Sequence, residues 1–73
     1  MPAYEVQIRR ESLGSGAPRI ETVCALAEDE HAVLTLVRTA LRLEDEQVDV
    51  VRTLPDDEAQ RLGLKPFQVK RKA

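Results

Sequence analysis

"VCALAEDEHAV", residues 23–33, is the stretch whose reading decides the fold. It holds the single cysteine, Cys24, and the single histidine, His31, with Glu28, Asp29 and Glu30 between them. Two readings compete: a thiol–imidazole site with acidic neighbours, or the seam where a strand runs into a helix. Periodicity favours the seam. Residues 19–27, "RIETVCALA", alternate as a strand, with Ile20, Thr22, Cys24 and Leu26 on one face and Glu21, Val23, Ala25 and Ala27 on the other. Taking the bulkier set as inward sends the Cys24 thiol into the core. Downstream, Val33, Leu36, Val37, Ala40 and Leu41 make an apolar stripe at helical spacing over residues 29–43. His31, Thr35, Arg38, Thr39 and Arg42 fall on the other side of that helix.

The acids at the junction suit a helix start, with Glu28 or Asp29 as the cap and negative charge at the positive end of the helix dipole. A catalytic pair needs sulfur and imidazole within hydrogen-bond reach and surroundings that favour the thiolate. Here the thiol points inward, the imidazole points outward, and nearby carboxylates oppose ionisation of the thiol. No catalytic residue is assigned, and the chain reads as non-catalytic.

Working outward, "YEVQIRRE" (4–11) alternates Tyr4, Val6 and Ile8 against Glu5, Gln7 and Arg9, as a half-buried strand does. "LGSGAP" (13–18) supplies the glycines and proline of a hairpin connection. It lacks both phosphate-loop patterns and precedes a strand, so it is no phosphate cradle. "VDVVRTL" (48–54) is a third strand. "PDDEAQRLG" (55–63) is a short helix between Pro55 and Gly63, and "FQVKRK" is a short fourth strand or a frayed extension. The fold class is α+β: a small ββαβ(αβ) domain with a mainly antiparallel sheet of three or four strands. The expected order is 2-1-3, reached by a right-handed crossover, with one main helix packed on one face. Residues 1–64 form the domain, and 65–73 form a basic tail or extra strand. "LAEDEHAV" resembles the strand-to-helix junction of many small α+β domains, some ribosomal and secretion-system domains among them; the likeness is generic and implies no particular family.

Composition narrows the function classes. With 73 residues, 42% apolar and 33% charged, the chain folds as one domain with one small core. A core of that size rarely supplies more than about 3–5 kcal/mol without disulfides, metal or a partner. One cysteine makes no internal disulfide, and one cysteine with one histidine makes no usual zinc site. No metal and no cofactor is expected. The acidic triplets at 28–30, 44–46 and 56–58 lack the glycine and oxygen pattern of a calcium loop. No apolar run reaches the ~18 residues of a membrane span, and "MPAYEVQIRRES" lacks a signal-peptide core. A cytoplasmic protein is expected, and a lone cysteine suits a reducing compartment.

Good packing alone, or self-association, is the remaining source of stability. In the expected order the second strand is an edge with apolar residues on both faces, which invites pairing. Val23, Ala25 and Ala27 of that strand, with Val51 on the sheet face left open by the main helix, are therefore the candidate protein interface; a homodimer through the second strand or the open sheet face is the first expected partner, another protein the second. The alternative is a nucleic-acid- or ribosome-associated protein. Seven of the eleven basic residues, all Arg, share residues 1–64 with all thirteen acidic ones, so the body carries −6 and the tail +4. Arg9, Arg10, Lys65, Lys70, Arg71 and Lys72 are the candidate nucleic-acid contacts. Two aromatic residues, Tyr4 and Phe67, supply little for base stacking.

Overall fold

The structure is a computed structural model and describes residues 1–10, 19–44 and 46–71. Six elements follow in order: β1 (Ala3–Arg10), β2 (Arg19–Leu26), α1 (Glu30–Ala40), β3 (Gln47–Leu54), α2 (Asp56–Leu62) and β4 (Val69–Arg71). The strands form one antiparallel sheet in the order β3-β1-β2-β4. The α+β class and the placement of β3 beside β1 are as the sequence predicts. The fourth strand is the difference. It pairs Val69, Lys70 and Arg71 with Ala25, Cys24 and Val23, so β2 lies inside the sheet rather than at its edge. The "LGSGAP" connection and Asp45 of the second acidic triplet lie outside the described residues.

Register fixes the faces. Val6 stands opposite Val23 and Tyr4 opposite Ala25 in the β1–β2 pair, and Val6 opposite Val50 and Ile8 opposite Val48 in the β1–β3 pair. Directly opposed residues share a face. The Tyr4, Val6 and Ile8 side of β1 therefore carries Val23 and Ala25 with it, and α1 covers that side through Val33 and Val37. Val6, Ile8, Val23, Ala25, Val33 and Val37 are all fully buried there.

This reverses the expected orientation of β2. Side-chain bulk alone predicts the other set inward, yet Ile20 is 54% exposed and Val23, Ala25 and Ala27 are buried. Residue size is a poor guide where the opposing strand supplies the bulk: the small Ala25 faces the large Tyr4. Cys24 is buried as expected, but against α2. Ala3, Cys24 and Leu54 form a second, smaller core on the opposite face of the sheet, covered by Leu26, Ala59, Leu62 and Leu64. The sheet is thus covered by α1 on one side and by α2 over part of the other. A strand with apolar residues on both faces, placed between two layers, needs no partner chain to explain it.

The helix ends follow capping chemistry. Asp29 is the N-cap of α1, and its Oδ1 accepts from the Ala32 N–H at 2.7 Å. At the other end, Leu43 N–H donates to the Arg38 carbonyl and Arg42 N–H to the Thr39 carbonyl, with Arg42 at φ +54°. This is a Schellman turn with arginine where glycine is usual. α2 closes with the same two bonds, Leu64 to Ala59 and Gly63 to Gln60, and here Gly63 at φ +67° meets the left-handed requirement without strain. Lys70 Nζ donates to the Leu62 carbonyl at 2.7 Å, which places a cation at the C-terminal end of α2.

Candidate interaction edge

Cys24 and His31 are on opposite sides of the sheet. Cys24 lies under α2, while His31 is exposed on α1, where its carbonyl accepts from Thr35 Oγ1. Among the described residues no group of three or more His, Cys, Asp or Glu is gathered as a metal site requires, and no helix is long and apolar enough to cross a membrane.

The candidate interface residues separate. Val23, Ala25 and Ala27 are core residues, at 0%, 0% and 5% exposure, and are corrected from surface to interior. Val51 is 44% exposed, on β3 at the sheet edge. The basic residues separate too. Arg9 is exposed on the α2 side of the sheet, opposite Ile20 and Gln47. Arg10 is on the α1 side, 3.9 Å from Glu21. Lys70, opposite Cys24, turns to the end of α2, whereas Arg71, opposite Val23, faces the other way. Lys65 is exposed, and Lys72 lies outside the described residues. Alternation along β1 and β4 thus splits these cations between two faces instead of gathering them into one patch.

Three features were not legible from composition. The first is a charged row beneath and beside α2. Arg52 reaches Glu58 of α2 at 2.9 Å and Glu5 of β1 at 3.4 Å, tying the edge strand to both. The Arg52 guanidinium is held more firmly protonated than usual, chiefly by its bonds to Glu58 and then Glu5. The second is the turn Lys65–Gln68, closed by the Gln68 N–H on the Lys65 carbonyl, with Phe67 at φ +63° and 75% exposed. Pro66 pre-sets the first central position, and Phe67 occupies the second, where a positive φ favours glycine. The third is a bulge in β3. Glu5 stands opposite Arg52 and Val6 opposite Val50, which leaves Val51 as the extra residue.

In the second acidic triplet, Glu46 is held below its ordinary carboxyl value. Backbone N–H groups of Glu46 itself and of Glu44 hydrogen-bond its carboxylate, the latter at 2.7 Å, and the nearby Arg10 and Arg38 add to the effect. A shallow groove of about 220 Å³ is lined by Met1, Leu26, Asp56, Ala59, Gln60 and Leu64. It is smaller than the ~300–1,000 Å³ of ordinary small-molecule sites.

Among the described residues, β3 is the longer edge strand of the sheet. It is eight residues long, whereas the opposite edge, β4, has three. Compared with known proteins, the chain has no significant match to any protein family, curated protein or solved structure.

Proposed function

We propose that this chain is a small non-catalytic interaction module of the cytoplasm that self-associates through the open edge of its sheet, strand β3. One observation carries the reading: Gln47–Leu54 pairs with β1 along its length, and it is the terminal strand of the sheet. An edge strand presents unpaired backbone N–H and C=O groups, a template for a further strand. The small core supplies a motive, because a domain of this size gains stability from association. The single cysteine of the chain, Cys24, can form no disulfide within it, which suits a reducing compartment.

The test is mass by light scattering up to high micromolar concentration, with a parallel anisotropy titration of single- and double-stranded nucleic acid at low salt. Self-association is expected, rising with concentration. A mass that stays at the 8.2 kDa monomer contradicts the proposal. Salt-dependent nucleic-acid binding, weakened by joint Arg9→Ala, Lys65→Ala and Arg71→Ala substitutions in such a monomer, would replace it with the nucleic-acid reading.

A further inference from the structure

The bulge in β3 changes which residues share a face. In a regular strand, residues three apart point to opposite faces. Here Asp49 stands opposite Gln7 and Arg52 opposite Glu5, and Gln7 and Glu5 share one face of β1. Asp49 and Arg52 are therefore on the same face, although three residues apart. The same holds for the rest of the strand. Gln47 and Leu54 lie on that face, opposite Arg9 and Ala3, while Val48 and Thr53 lie on the other, opposite Ile8 and Tyr4. About a point between Val50 and Val51, the faces of β3 read the same in both directions.

We infer that β3 pairs antiparallel with β3 of a second copy about a two-fold axis between Val50 and Val51, setting Asp49 of each copy opposite Arg52 of the other. This rests on the self-association proposed above and specifies its register. An isologous contact needs a surface complementary to itself. The two-fold places Asp49 against Arg52 twice, on one face, and Val48 against Thr53 twice, on the other. At the centre it sets Val50 against the exposed Val51. Without the bulge this register would put opposed side chains on different faces, which antiparallel pairing does not allow.

Charge argues for the same occupant. Asp49 is exposed and has no ion pair among the described residues, while Arg52 keeps a side-chain exposure of 43% despite its bonds to Glu5 and Glu58. Bulges and charges on an edge strand usually deter pairing with arbitrary strands. A self-complementary arrangement of them excludes most partners and admits one register with a second copy.

The experiment compares the full chain with Asp49→Arg and Asp49→Asn by sedimentation equilibrium, with circular dichroism to confirm folding. Asp49 is exposed on an edge, so both variants are expected to fold. Asp49→Arg sets like charges opposite each other twice per dimer and is expected to weaken dimerisation at least ten-fold; Asp49→Asn is expected to weaken it less. Wild-type and Asp49→Arg chains that dimerise equally would overturn this register and leave self-association standing. A wild-type chain that stays monomeric overturns both.

Discussion

Arg42 holds φ at +54° to complete the turn that ends α1. The left-handed conformation costs a non-glycine residue about 1–2 kcal/mol. Glycine removes that cost but adds freedom to the unfolded chain. Arg42→Gly is therefore expected to stabilise the fold by about 0.5–1 kcal/mol, measured as a shift of the urea midpoint at unchanged slope. A destabilised variant would mean that the arginine side chain makes a contact worth more than the strain. Residue-scale legibility was uneven. An acid at 28 or 29 as the cap, Gly63 past the end of α2 and the outward His31 could all be read locally, because each follows from a short spacing rule. The strained Arg42 and Phe67 could not be, since neither residue type signals a positive φ.

At the scale of elements, α2 decides the environment of Cys24. It lies on the sheet through Ala59 and Leu62, with Leu64 just past its end, over Ala3, Cys24 and Leu54. A seven-residue helix with no fully buried residue of its own is held by few contacts, and such elements open locally before the whole fold does. The thiol should react with a bulky aromatic disulfide far more slowly in the native protein than in urea. Leu62→Ala should speed the native reaction about five- to ten-fold by loosening α2. An unchanged rate in that variant, or a native thiol that reacts as fast as an unfolded one, contradicts this packing.

The orientation of β2 is the element that local reading reversed. The pattern "IETVCALA" is apolar on both faces, which signals a strand covered from both sides as well as a sticky edge. Choosing between those meanings requires knowing that β4 lies beside β2 and that α2 lies beneath it. Both are long-range facts carried by the C-terminal third of the chain. The bulge at Val51 was illegible for a similar reason, since it exists only relative to β1.

For the whole molecule, two cores on opposite faces of one sheet give unequal weight to chemically equal residues. Ile8 is fully buried beneath α1, whereas Ile20 is 54% exposed. Ile8→Ala is expected to cost about 2–5 kcal/mol, as buried large-to-small changes do. Ile20→Ala should stay within about 0.5 kcal/mol, as exposed changes usually do. Equal costs in chemical denaturation would contradict the assignment of faces. The overall architecture was legible because alternation in β1, the stripe in α1 and the acids at the starts of both helices agree with one another. The surface for contact was not, because an edge is a property of the sheet rather than of any one strand.

The most direct measurement is amide hydrogen exchange at low and high protein concentration. Pairing through β3 is expected to slow exchange at alternate amides of Gln47–Leu54 as concentration rises, and to leave β1 and the Val23–Ala25 segment of β2 unchanged. Exchange in β3 that is independent of concentration while the mass doubles, or new protection confined to another surface, would contradict it.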